Sequence, residues 1–225
     1  MITLPPGFFL INKPAGWTSF DVVAKIRQKV RVTTGQKNIK VGHAGTLDPF
    51  ATGLLIVGVG REATKRLDEF KNLPKTYVAT IHLGDVSDTD DVTGTITDYG
   101  KKQNIPERTE IENTLKLFLG KQLQTPPMYS AKSIGGVRLY KLARQGKIIE
   151  RQPEKIEIYD LKLLEYAWPL LKIKVTCSAG TYIRTLAKDI GEKLGTGGYC
   201  ETLCRTRIGH FSLDQAETTD KFTTV

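Results

Sequence analysis

Long apolar runs are missing from this sequence. No stretch approaches the roughly 18 residues that a membrane-spanning helix needs, so a helical membrane anchor drops out of the readings. The opening residues, Met1-Ile2-Thr3-Leu4-Pro5-Pro6, lack the charged start and apolar core of a secretory signal. The expected compartment is therefore the cytoplasm. Cysteine is scarce: three occur, at positions 177, 200 and 204. An odd number at that density argues against a disulfide framework. Cys200, Cys204 and His210 lie close together, but structural zinc asks for four ligands at set spacings and no fourth is at hand. The three cysteines read as small, partly buried core residues. The acidic run Asp85, Asp88, Asp90 and Asp91 fails the calcium-loop pattern. Counted from Asp88, the required glycine is missing and Tyr99 stands where the closing glutamate belongs. Gly58-Val59-Gly60 is no phosphate-binding loop, because the spaced glycine followed by Lys and Ser or Thr is absent. There is no internal repeat and no low-complexity block.

What is present is a chain of 225 residues, 40% hydrophobic and 25% charged. That suits one large domain with a sizeable core. Lys and Arg outnumber Asp and Glu by 33 to 24, giving a net charge of +9. The basic residues are dispersed, not gathered in a tail. This favours a folded basic surface, for which nucleic acid is the first candidate partner.

The chain reads as strands and helices interspersed without a strict βαβ rhythm, which argues for an α+β fold with a mixed, mainly antiparallel sheet. Gly7 to Ile11 reads as a strand. Ser19 is expected to cap a helix whose apolar face carries Phe20, Val23, Ile26 and Val30. Gly53 to Gly58 reads as a buried strand and Glu62 to Phe70 as a helix with Ala63, Leu67 and Phe70 inward. Lys75 to Leu83 alternates as a strand, with Tyr77, Ala79, Ile81 and Leu83 on one face. A loop from Asp85 to Gly94 and a strand from Thr95 to Tyr99 follow. Pro106 opens a helix that Gly120 closes. Around 125–150 the chain looks like a basic excursion, with Lys132, Arg138, Lys141 and Arg144 and a Gly135-Gly136 hairpin signal. Two long strands, Lys155 to Tyr166 and Leu170 to Ser178, precede a helix from Tyr182 to Leu194 and a last strand from Tyr199 to Phe211.

The segment Val41-Gly42-His43-Ala44-Gly45-Thr46-Leu47-Asp48-Pro49 carries two glycines and a proline just before a buried strand. Such a loop holds a carboxylate on a rigid base at the mouth of a cleft. Asp48 read alone also suits an Asx-turn that starts Asp-Pro.

The motif Gly42 to Pro49, followed by Ala51-Thr52-Gly53-Leu54-Leu55, resembles the signature of the bacterial TruB-type tRNA pseudouridine synthases. Further segments resemble that family in the same order: Asn12-Lys13-Pro14-Ala15-Gly16, Gly60 to Lys65, Lys75-Thr76-Tyr77, Pro127 to Ala131 and Cys177 to Leu186. The resemblance covers about residues 7 to 211. It implies the pseudouridine-synthase catalytic fold and the isomerisation of uridine 55 in the TΨC stem-loop of tRNA. It assigns Asp48 as nucleophile, Tyr77 as the tyrosine that stacks on the target base, and Arg184 as the arginine pairing with the catalytic carboxylate. Tyr182 and Leu203 match residues lining the uracil pocket. His43 matches the histidine that fills the space left by the extruded nucleotide, and Lys13 a lysine near the site. Asp91, or its neighbour Asp90, corresponds to an acidic residue near the arginine. Read without the family, Tyr77, Tyr182 and Leu203 are core residues and Arg184 is a surface charge.

The implied chemistry breaks an N-glycosidic bond and remakes it as C–C. It needs a nucleophile held dry, a base taken out of its stack and an aromatic face to receive it. It needs no cofactor and no metal. Attack at C1′ and attack at C6 both stay open. A non-catalytic RNA-binding module and a synthase guided to another RNA are the competing readings. Only about 15 residues follow Phe211, so the expectation is a single catalytic domain over 1–225 without a separate C-terminal RNA-binding domain; with no repeat or coiled-coil pattern in the sequence, a monomer is expected.

Overall fold

The computed structural model describes residues 7–100, 105–129, 133–134, 137–138 and 149–222. The chain divides into two compact units, one of residues 1–77 with 204–225 and one of residues 78–203.

In the first unit, β1 (Phe8–Lys13) pairs antiparallel with β3 (Thr52–Val59), and β2 (Val41–Ala44) pairs antiparallel with the outer half of β3. The end of β12 (Gly198–Ile208) joins β3 in parallel at Cys204 and Arg205. Short strands β13 (Phe211–Ser212) and β14 (Glu217–Thr218) add to β12 and β1. The Leu54-Leu55-Ile56-Val57 run reads as continuously apolar because both faces of β3 are covered. Leu54 and Ile56 meet Phe8, Ala63, Leu67, Phe70, Ile208 and Phe211 on one side. Leu55 and Val57 meet Ile11, Val22, Val23, Ile26, Val30 and Phe222 on the other.

Helix α1 (Ser19–Thr34) supplies that second layer. Its cap falls one residue earlier than expected. Thr18 accepts from the Asp21 N–H and Asp21 returns a bond to the Thr18 N–H, a capping box. Phe20, expected inward, is 64% exposed, and Val22 takes the inward place. The helix expected over Glu62 to Phe70 is two short ones, α2 (Arg61–Lys65) and α3 (Asp68–Lys71), with Ala63, Leu67 and Phe70 buried as the pattern predicts. The last expected strand turns at Gly209 and His210, so its end returns as β13.

In the second unit the strand order is β4 (Lys75–Leu83), β11 (Leu170–Cys177), β10 (Glu154–Ala167) and β7 (Gly120–Gln124), with β10 antiparallel to both neighbours. Strand β7 carries no clear alternation and escapes sequence reading. Helix α4 (Arg108–Lys116) packs on β10 and on α5 (Ile183–Lys193), which buries Ile183, Leu186, Ala187 and Ile190. A hairpin of β5 (Asp85–Ser87) and β6 (Ile96–Asp98) brackets the acidic loop. Strands β8 (Ser133–Ile134) and β9 (Val137–Arg138) pair antiparallel on either side of Gly135-Gly136. The rest of the basic excursion expected around 125–150, including Lys132, Lys141 and Arg144, lies outside the described residues. Strand pairing is mainly antiparallel, as the α+β reading predicts. No helix among the described residues is long and apolar enough to cross a membrane.

Candidate active site

Asp48 lies in the loop of residues 45–51 that joins β2 to β3, and its side chain is half-buried. The loop is braced from four directions inside the first unit. Ser19, buried at the start of α1, accepts from the Leu47 N–H at 2.9 Å and lies 3.2 Å from the Leu47 carbonyl, to which it donates. Gly16 N–H donates to the Pro49 carbonyl at 2.9 Å. Lys13 Nζ donates to Pro14 O at 2.8 Å, Trp17 O at 2.6 Å and Pro49 O at 3.3 Å. Arg205 donates from Nη2 to Gly45 O at 3.0 Å and from Nε to Leu54 O at 2.8 Å. A turn bond from Ala51 N–H to Asp48 O, 3.1 Å, closes the loop, and the Leu47 and Ala51 side chains on either side of Asp48 are buried. A loop whose main-chain polar groups are satisfied in this way holds its carboxylate in one place.

The electrostatics follow from burial. Lys13 is fully buried, and loss of solvent pulls its ammonium from 10.5 down to about 8. The Asp48 and Asp21 carboxylates act the other way and Arg205 adds to the fall. At neutral pH Lys13 is still charged and sits within electrostatic reach of Asp48. His43, on β2, is pushed down to about 4, first by burial and then by Arg205 and Lys71. It is therefore a neutral imidazole at pH 7. Its buried Nδ1 has no hydrogen-bond partner among the described residues, and its ring meets Phe20 edge-to-face at 6.1 Å.

A pH dependence follows for His43. The unfolded chain takes up a proton near 6.5 that the folded chain refuses until about 4. Stability is then full above 6.5 and falls as pH drops through that window, by about 2–3 kcal/mol between pH 7 and pH 4.5. Urea unfolding at the two pH values should show this loss in the wild type and a smaller one in His43→Gln. Equal losses in both would remove His43 as the cause.

The second unit carries the remaining expected residues except Tyr77. Arg184, in the first turn of α5, is 2% exposed. It donates to Thr89 O at 3.0 Å and Tyr129 O at 2.8 Å, and its Nη1 lies 3.4 Å from Asp91 Oδ2. Of the two acidic neighbours left open by the sequence, Asp91 is thus the one that meets Arg184. Its other oxygen accepts from Thr93 N–H at 2.9 Å, Thr93 Oγ1 at 2.5 Å and Thr89 Oγ1 at 2.8 Å. Burial pushes the carboxyl of Asp90 upward. Tyr182 is half-buried at the cap of α5, where buried Gln124 binds its N–H at 2.8 Å and its carbonyl at 3.0 Å. Leu203 on β12 is buried, and Tyr77, in the first unit on β4, is buried as well. Among the described residues no group of three or more His, Cys, Asp or Glu is placed to hold a metal ion.

Removing one member of a buried ion pair strands the other. Asp91→Ala should cost about 3–5 kcal/mol by urea unfolding. Asp91→Asn, which keeps an acceptor for the Thr93 N–H, should cost less. A loss below about 0.5 kcal/mol in Asp91→Ala would show that the carbonyls of Thr89 and Tyr129 suffice for Arg184.

Sequence reading missed Ser19 as a brace, Gln124 and Arg205. Arg205 had one visible signal: it shares the inward register of β12 with Leu203, a charge where an apolar residue is the rule.

Comparison with known proteins places this geometry. The model of the TruB family pseudouridylate synthase N-terminal domain matches residues 30–183, and that of the tRNA pseudouridylate synthase B C-terminal domain matches residues 184–225. The tRNA pseudouridine synthase B of Protochlamydia amoebophila is 45% identical over 217 residues, covering 95% of this chain and 79% of that one. The tRNA pseudouridine synthase B of Parabacteroides distasonis is 48% identical over 203 residues, covering 90% and 86%. Among solved structures, a Cbf5-Nop10-Gar1 complex aligns with a TM-score of 0.70 at 30% identity over 94% of this chain. An H/ACA RNP bound to a substrate RNA containing 2'-deoxyuridine aligns with a TM-score of 0.68 at 27% identity over 95% of this chain. This chain spans about half the length of those two, 52% and 51%. The fold is that of the pseudouridine synthases, a class of RNA-modifying isomerases. Within that class the chain belongs to the TruB family of pseudouridylate synthases.

Proposed function

We propose that this enzyme isomerises uridine 55 in the TΨC loop of tRNA to pseudouridine, acting as a cytoplasmic monomer without cofactor or metal, with Asp48 as nucleophile. The observation that carries the reading is the bracing of the Asp48 loop by Ser19, Gly16, Lys13 and Arg205. The matched relatives are named for tRNA, and a net charge of +9 suits a polyanion.

The target uridine leaves its stack before chemistry. The Asp48 carboxylate attacks the nucleotide, the C1′–N1 bond breaks, and the uracil turns. A C1′–C5 bond then forms, the bond between Asp48 and the nucleotide breaks so that the carboxylate is regenerated, C5 loses its proton and N1 gains one. Atoms and electrons balance with no redox partner and no group transferred to a second molecule. His43, being neutral, brings no charge into the place vacated by the uridine. Lys13 steadies the loop through Pro49 and keeps a positive charge near the carboxylate. Tyr77, Tyr182, Arg184 and Leu203 keep the roles that the family resemblance gives them. That the two compact units serve as one catalytic domain, with a basic, RNA-gripping excursion around 125–150, belongs to the same proposal.

The test is tritium release from C5 of [5-³H]uridine in an unmodified tRNA transcript. Release of a single equivalent per tRNA, mapped to position 55, is the expected result. A folded protein that binds the transcript and releases nothing would overturn the reading.

A further inference from the structure

Phe20 is the second residue of α1 and 64% exposed, although the helix already buries Val22, Val23, Ile26 and Val30. Folding gains little from this ring, and single exposed apolar residues are common on protein surfaces. Phe20 differs from such a residue in where it is held. The Thr18–Asp21 capping box fixes the first helical turn. The preceding residue, Ser19, is tied on both hydrogen-bonding groups of Leu47, next to Asp48. The ring itself stands edge-to-face against His43, with an interplanar angle of 88°. An exposed aromatic face is thus fixed against one flank of the Asp48 loop.

We propose that Phe20 is an RNA-contact residue whose ring takes the face of a nucleobase neighbouring the reacting uridine. The proposal rests on the tRNA reading above. A base, not a phosphate, is the fitting occupant: Phe20 offers a π surface, and the exposed Asp21 carboxylate next to it repels phosphate. Base–aromatic stacking is worth roughly 1–3 kcal/mol, ample reason to keep an exposed aromatic at this point. His43 beside it carries no charge at neutral pH, so the two rings form an uncharged corner on a protein of net charge +9. Stacking there is tolerant of base identity.

The experiment compares wild type, Phe20→Ala, Phe20→Leu and Phe20→Trp by the Kd for unmodified tRNA transcript and by tritium release at saturating tRNA. Phe20→Ala is expected to raise Kd by about 5- to 160-fold, the range of one lost stack. Turnover at saturation should fall far less, and the urea midpoint should hardly move. Phe20→Trp should restore binding and Phe20→Leu should not. Wild-type affinity in Phe20→Ala, or full rescue by leucine, would overturn stacking at this position while leaving the enzyme's function intact. A wild-type protein that neither binds nor modifies tRNA would instead sink both readings.

Discussion

Asp48→Asn should release no measurable tritium from labelled tRNA, a loss of at least about 10³-fold, while binding the transcript within about threefold of wild type. The substitution keeps the shape of the side chain and exchanges a carboxylate for an amide, which is a far poorer nucleophile. The braces on the loop act through main-chain groups of Gly45, Leu47, Asp48 and Pro49, so they survive the change. Loss of chemistry with retained binding would isolate the carboxylate itself. Turnover near the wild-type level would show that another group attacks. Loss of binding together with turnover would show that Asp48 holds RNA. A secondary effect should accompany the change. Asp48 helps to hold up the Lys13 pKa, so without it Lys13 should lose its proton at a lower pH than in the wild type.

Much of the fold was legible because its elements keep a period. The alternation of Tyr77, Ala79, Ile81 and Leu83 marks β4, and the stripe of Ile183, Leu186, Ala187 and Ile190 marks α5. The start of α1 was not legible. Thr18 and Ser19 are both good caps, and the choice between them is made by Leu47, which claims the Ser19 hydroxyl from 28 positions away. Phe20 went wrong for a related reason: hydropathy puts a phenylalanine inside, whereas the helix register turns it outward. The same limit applies at the site. The Gly-rich motif points to Asp48, but its bracing comes from residues in three other segments, at Lys13 and Gly16, Ser19 and Arg205. Arg184, a surface charge when read without the family, stands in the first turn of α5, where the helix dipole disfavours a cation, and is buried. That Asp91 meets it was not visible, because Asp90 and Asp91 are adjacent and only the folded loop separates them.

Gly53→Ala should destabilise the protein by about 3–5 kcal/mol and lower activity per folded molecule. Gly53 sits at the start of β3, paired with Lys13 on one side and Arg205 on the other. Its φ is 105°, a region that L side chains rarely adopt. A Cβ there would stand 2.4 Å from the Arg205 carbonyl oxygen, 2.8 Å from its nitrogen and 3.0 Å from its carbonyl carbon. All three are backbone atoms, so no side chain can swing aside. Arg205 cannot retreat cheaply either, since its buried guanidinium holds Leu54 and Gly45. Whatever shift admits the methyl therefore reaches Gly45, where the Asp48 loop begins. Gly16→Ala is the control: its φ of 80° also lies where L side chains are rarely found, but nothing lies within 4 Å of its Cβ. It should cost about 1–2 kcal/mol. Urea unfolding of both variants separates strain from collision, and tritium release at matched folded concentration separates stability from site geometry. Equal costs for the two glycines would mean that the strands part without effort. A destabilised Gly53→Ala with normal turnover per folded molecule would mean that Arg205 does not transmit the shift to Asp48.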